Sequence, residues 1–263
     1  MGSASSSVAF GAAALSLVSG CSLLVGLSDL GGDGGVDAAD ESQPSDAACA
    51  LIDAPAPPVH GGGACSLDAS SCSPGNESAF SAGAPPPPVS ATPYPGLCTS
   101  QQIGSLYQSC IGSSATTSAC NSFVASNGAC SNCVLTAATA SKWGPLVLVN
   151  DSFLINIGEC IALVEPCNAA CAAAYVDLNE CQIAACTTGP GCDDAGAPAI
   201  LACTNEAVTC TSCSGFAGAA AACESAMKAD PADHPAATAC GITATTSSAT
   251  IQAIATAMCG SPP

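Results

Sequence analysis

The stretch CTSQQIGSLYQSCIGSSATTSACNSFVASNGACSNC, residues 98–133, decides the fold class. With Thr99 or Ser100 as an N-cap, Ile103, Leu106, Tyr107 and Cys110 recur at three- and four-residue spacing, so one face of a helix over Ser100–Ile111 is apolar. A second short helix is expected over Thr117–Ala125, ending at Asn127-Gly128. A turn then delivers the Cys130-x-x-Cys133 pair at the start of another helical stretch. Five cysteines in this one window, set among short helices with narrow apolar faces, describe a bundle stapled by disulfides rather than by a deep core.

The same grammar continues downstream. Ala169–Cys186 carries Cys171, Tyr175, Leu178, Gln182 and Ala185 on one helical face, and Gly189-Pro190-Gly191 stops it. Further helices are expected at about 197–207, 215–229 and 247–258, the last with Ile251, Ile254, Ala255 and Met258 at helical spacing. Leu146–Val149 and Phe153–Ile157 are β-branched and aromatic runs separated by Asn150-Asp151-Ser152, which reads as a β-hairpin. The expected fold class is mostly α: a disulfide-rich bundle of short helices with one small β-hairpin at about residues 145–157.

Composition agrees. Hydrophobic residues make up 49% of the 263, but aromatics only 3%, so the average buried side chain removes little apolar area from water. Twenty-one cysteines offset that thin core, each bridge contributing about 2–4 kcal/mol by restricting the unfolded chain. Such density persists in oxidising compartments. Twenty acidic residues face only Lys142 and Lys228, for a net charge of -18. A nucleic-acid partner is excluded on that balance, because phosphate binding draws on clustered Lys and Arg, and docking on anionic lipid is disfavoured for the same reason.

Upstream, Val8–Leu17 (VAFGAAALSL) is a short uncharged apolar stretch followed by Val18, Ser19 and Gly20, small residues directly before Cys21. This segment resembles a bacterial lipoprotein signal peptide. The resemblance implies cleavage after Gly20, a mature chain beginning at Cys21, and covalent lipid on the Cys21 thiol. It departs from the pattern at Val18, where Leu is favoured, and in Met1–Ser7, which holds no Lys or Arg. The competing reading is an uncleaved anchor, since Val8–Leu27 is about 20 uncharged residues, enough to span a hydrocarbon core as a helix.

The organisation expected is therefore residues 1–20 as signal peptide, 21–69 as a flexible acidic tether and 70–263 as the disulfide-rich helical domain. The tether reads GLSDLGGDGGVDAADESQPSDAA and then APAPPVHGGG, with no apolar periodicity. Gly31–Gly35 lacks the repetition of a calcium-binding glycine repeat and is read as spacer. Ala84–Pro95, with four prolines at Pro85–Pro88, should run extended over the surface of the helices downstream.

Setting Cys21 aside leaves an even twenty cysteines. The structural disulfide set is read as Cys72, Cys98, Cys110, Cys120, Cys130, Cys133, Cys160, Cys167, Cys171, Cys181, Cys186, Cys192, Cys203, Cys210, Cys213, Cys223, Cys240 and Cys259, pairing open, with Cys49 and Cys65 left to pair in the tether. The spacing Cys110-x9-Cys120-x9-Cys130-x2-Cys133 runs parallel to Cys192-x10-Cys203-x6-Cys210-x2-Cys213, a hint of a duplicated helical unit. CSPGNESAF at residues 72–80, the 98–110 segment, the CxxC pair, the WGP element at 143–145 and GECIALV at 158–164 together resemble Cys-rich, Ala-rich surface lipoproteins of myxobacteria and their relatives, over residues 70–263. That group has no assigned biochemical activity, so the resemblance implies a surface location and a disulfide framework and carries over no site residue.

Few constellations offer chemistry. Cys130/Cys133 and Cys210/Cys213 have the spacing of zinc knuckles and of redox-active dithiols, but an oxidising compartment favours structural pairing, and no strand precedes them as in a thioredoxin-type unit. No G-x-S-x-G elbow, H-E-x-x-H helix or phosphate loop is present. His60 falls in the tether, and His234, beside Pro235, reads as an exposed loop histidine. Asp193-Asp194, just before a helix, reads as helix capping in preference to calcium binding. Lys142 beside Trp143 is the one place where a cation and a large aromatic adjoin and could contact a carbohydrate or peptide, with packing plus a solvated amine the plainer reading. The expectation is a non-enzymatic, membrane-tethered cell-surface lipoprotein with no catalytic residue, no metal and no cofactor beyond the Cys21 lipid. Its partners are the membrane, through that lipid, and a protein or envelope-polymer ligand. The alternatives are an extracytoplasmic thiol-disulfide oxidoreductase and a metal-binding envelope protein.

Overall fold

The computed structural model describes residues 52, 74, 88–150, 152–187, 192, 197–210 and 213–262. The lipidation motif around Cys21, the tether cysteines Cys49 and Cys65, and Cys72, His60 and Asp193-Asp194 lie outside them.

α1 (Ser100–Leu106) starts as its sequence requires. Thr99 accepts a hydrogen bond from the Gln102 N–H, and the Gln102 side chain accepts one from the Thr99 N–H, a reciprocal capping box. The expected single helix to Ile111 widens to π geometry over Tyr107–Ile111, which still buries Cys110 and Ile111. α2 (Thr117–Ser126) is capped by Thr116. α3 (Gly128–Val134) carries the CxxC pair within it rather than at its start, and gives way at once to strand β1 (Leu135–Ala137). Sequence reading misses β1, too short at three residues to show a period of two.

β2 (Leu146–Val149) and β3 (Ser152–Ile155) form the expected hairpin, with Asn150 turning the chain at φ 51°. β1 joins β2 in parallel, giving the order β1-β2-β3. Ile157, read as strand, opens helix α4 (Ile157–Val164) instead, because the Asn156 side chain accepts from the Glu159 N–H and caps it. A 3-10 turn (Pro166–Asn168) leads into α5 (Ala169–Thr187), followed by α6 (Ala197–Cys210), α7 (Cys213–Ala229), α8 (Pro235–Ala239) and α9 (Ser247–Cys259).

α5 is the axis of the bundle. It packs against α4, α6 and α7, so Cys171, Ala172, Val176, Cys181 and Ala185 are all buried and no single apolar stripe describes it. Gly158 sets the α4–α5 separation: a Cβ there would lie 2.6 Å from the Ala172 carbonyl.

Disulfides supply what the small side chains do not. Cys171–Cys223 and Cys181–Cys213 fasten α5 to α7, and Cys186–Cys203 fastens α5 to α6. Cys160–Cys240 joins α4 to the end of α8, and Cys133–Cys259 joins α3 to α9 across 126 residues. Cys98–Cys130 and Cys110–Cys120 close the N-terminal helices. Cys167 and Cys192 are disulfide-bonded as well. The duplicated unit read from spacing is not reproduced in the pairing: Cys120 bonds Cys110, whereas Cys203, its counterpart, bonds Cys186 rather than Cys192. From Pro88 onward the approach to α1 lies against the domain, with the Val89 N–H on the Trp143 carbonyl (2.9 Å) and the Tyr94 N–H on the Ala257 carbonyl (2.8 Å), but it bends repeatedly instead of running extended, with Tyr94 at φ 56° and Gly96 at φ 75°.

Candidate functional site

β3, α5, α6, α7 and the turn before α9 surround an open cleft of about 710 Å³. That volume falls within the range of small-ligand pockets, about 300–1,000 Å³. The cleft exists because α7 is rich in alanine: where Ala217, Ala220 and Ala221 face β3, the helix has no side chains long enough to fill the gap. Leu154, Ile155, Leu178 and Val208 give it apolar walls. Gly241, at φ 67° and where a Cβ would lie 2.6 Å from the Thr250 Cα, lets the chain turn tightly at the rim.

Its polar groups are few and placed. The Tyr175 hydroxyl is buried and makes no hydrogen bond of normal geometry. Burial, and secondarily the Glu224 carboxylate, push its ionisation far upward, so the phenol stays neutral and keeps its proton to donate. Glu224 and Lys228 form an i,i+4 ion pair on α7, which cancels charge within the cleft. The Asn179 amide donates to the Ile155 carbonyl (3.1 Å), and Gln182 donates to the Thr204 carbonyl (3.3 Å).

A second polar cluster is closed. Glu165 is 3% exposed; its Oε1 lies 2.8 Å from His234 Nδ1 and accepts from Asn168, while its Oε2 accepts from the Ala236 N–H (3.2 Å), capping α8 from outside. Asn168 Oδ1 in turn accepts from the N–H of Ile52 (2.8 Å), which packs on the main core. His234 is thus buried, at 6% exposed, and not the exposed loop histidine its neighbours Asp233 and Pro235 suggest. Helix α8 begins at Pro235 and folds the ring inward against a carboxylate 69 residues away, a partner no local pattern reveals. This cluster also brings Ile52, inside the stretch read as tether, onto the domain.

Glu159, in the first turn of α4, is 2% exposed with Oε1 unpartnered. Burial, and then the charge of Glu180, raise its pKa from 4.5 to about 7. Burial also raises those of Asp177 and Glu180 on α5.

Neither CxxC motif is closed on itself by a Cys130–Cys133 or Cys210–Cys213 bridge. Cys130 is bonded to Cys98, Cys133 to Cys259 and Cys213 to Cys181. No group of three or more His, Cys, Asp or Glu side chains among the described residues is arranged to hold a metal ion. Trp143 is buried and donates from its indole to the Ala138 carbonyl (3.2 Å), so it packs rather than presenting a ring to a ligand.

Comparison with protein-family models, with curated proteins and with solved structures finds no match. The disulfide framework marks the chain as extracytoplasmic. No helix among the described residues is long and apolar enough to cross a membrane.

Proposed function

We propose that this is a lipid-tethered cell-surface binding protein, held to the membrane through Cys21, whose helical domain captures a ligand in the cleft between β3 and α7. The observation that carries the reading is the cleft itself: apolar walls, a neutral buried phenol beside the Glu224 carboxylate, and a self-cancelling ion pair. A site of this make-up favours holding a ligand over transforming one. Among the described residues it offers no oriented nucleophile and base pair, whereas an apolar cleft with a few fixed polar groups suffices for recognition. The thiol-exchange alternative loses its premise, because the sulfurs of Cys130, Cys133 and Cys213 are each engaged outside their motif.

Ala221 is exposed on the α7 wall, so Ala221→Trp fills the cleft without entering the core. Titration with the neutral dye Nile red should give enhanced, blue-shifted fluorescence with the wild-type domain and at least tenfold weaker binding with A221W. Equal binding by the two proteins refutes the cleft as the ligand site. For the tether, the intact mass of protein from its native host should correspond to a chain starting at Cys21 plus lipid; an unmodified chain retaining residues 1–20 refutes the anchor.

A further inference from the structure

We infer that the occupant of the cleft is an extended, net-positive peptide segment that adds to the sheet as a fourth strand along β3; this rests on reading the cleft as the ligand site. The direction of the backbone groups follows from the register. The Ala138 N–H bonds the Leu148 carbonyl (3.0 Å), so Leu148 turns its backbone groups toward β1. By alternation, Val147 and Val149 turn theirs toward β3, where they meet Leu154 and Ser152. The Asn156 N–H on the Pro145 carbonyl (2.9 Å) continues that alternation past the strand. Phe153 and Ile155 therefore turn their N–H and C=O groups away from the sheet.

Among the described residues, one of those four groups finds a partner: the Ile155 carbonyl, on Asn179. The Phe153 N–H and C=O and the Ile155 N–H remain for a ligand. That this open edge faces the cleft follows from the lining. Phe153, Leu154 and Ile155 all border it, yet successive side chains of a strand point to opposite faces, so consecutive residues share one cleft only when the strand presents its edge. The edge carries no Lys, Pro or bulge of the kind that blunts unwanted pairing.

Charge selects among peptides. The Glu224–Lys228 pair leaves the cleft wall locally neutral, while the whole chain carries -18, so its field draws in a basic segment and repels an acidic one. Main-chain bonds to β3 supply affinity, and alternate apolar side chains lie against the cleft walls, the division of labour general to strand addition.

The test uses a fluorescein-labelled seven-residue peptide of alternating valine and lysine. Wild-type protein should bind it, with an association rate that falls as salt rises, and an alternating valine-glutamate peptide should bind at least tenfold more weakly. Ile155→Pro removes an outward N–H at an edge position where proline is tolerated. It should weaken peptide binding at least tenfold. In parallel, the same valine-lysine peptide N-methylated at alternate backbone amides, in both registers, should lose at least tenfold on wild-type protein, an arm that stands even if I155P fails to fold. Equal binding of methylated and unmethylated peptides, or no peptide binding by a protein that still takes up Nile red in an Ala221-dependent way, overturns strand addition and leaves the cleft reading intact. Loss of that dye dependence overturns the cleft reading itself.

Discussion

Replacing Glu159 with Gln should make the domain more stable at pH 8 and change how its stability depends on pH. The wild-type carboxyl is buried between α4 and α5 with one oxygen unpartnered, and its pKa rises from 4.5 to about 7 on folding. Below pH 4.5 both folded and unfolded chains hold the proton and the group is neutral to stability. Between pH 4.5 and 7 the unfolded chain has released it and the folded chain has not, so the unfolded state binds fewer protons and stability falls as pH rises. Above pH 7 the full penalty is in place. A shift of this size corresponds to at most about 3 kcal/mol at 1.36 kcal/mol per unit, and about 2 kcal/mol after allowing for relaxation around the buried charge. Glu159→Gln keeps the volume and cannot ionise. The expected result is a thermal midpoint similar to wild type at pH 4 and higher by roughly 4–8 °C at pH 8, at about 2–4 °C per kcal/mol for a domain of this size. Calorimetry with disulfides intact, at pH 4, 6 and 8, reads it directly. Parallel wild-type and variant curves across that range would mean that Glu159 carries no burial penalty.

Gly158→Ala should cost about 1–3 kcal/mol by forcing a Cβ within 2.6 Å of the Ala172 carbonyl and parting α4 from α5, seen as a lowered midpoint at every pH; an unchanged midpoint would mean the helices have slack there. Removing Cys133–Cys259 by a double serine substitution should destabilise more than removing Cys110–Cys120. The loops closed span 126 and 10 residues, and chain entropy alone separates them by about 2 kcal/mol; denaturant midpoints in the reverse order would contradict this. Glu165→Ala should cost about 3 kcal/mol, because it strips the buried His234 and the N-terminus of α8 of a shared acceptor; a loss under about 0.5 kcal/mol in urea unfolding would show the cluster to be incidental.

Much of the domain is legible because it is written locally. Thr99 and Gln102, Thr116, and Thr246 before α9 each place a helix start through bonds to residues three positions on. The hairpin is announced by its β-branched runs and its turn. The candidate site is less legible. Tyr175 and Leu178 are visible as one face of α5, but Ala221, Thr204 and Ile242 carry no motif and meet only because α6, α7 and the turn before α9 converge on β3.

By itself, the sequence determined the class: short helices, an oxidising compartment, an acid-rich surface, and cysteines in place of a thick core. These come from composition and from periods of two and three to four residues, which act over a few positions of chain. Tertiary structure alone decided which cysteine bonds which, that His234 turns inward to Glu165, that Glu159 is buried with one oxygen unpartnered, and that β3 keeps an open edge. Each of these depends on groups tens of residues apart being brought within about 3 Å, or kept from it. Local propensity holds no information about such distances, and only the packing of α5 among its neighbours supplies it.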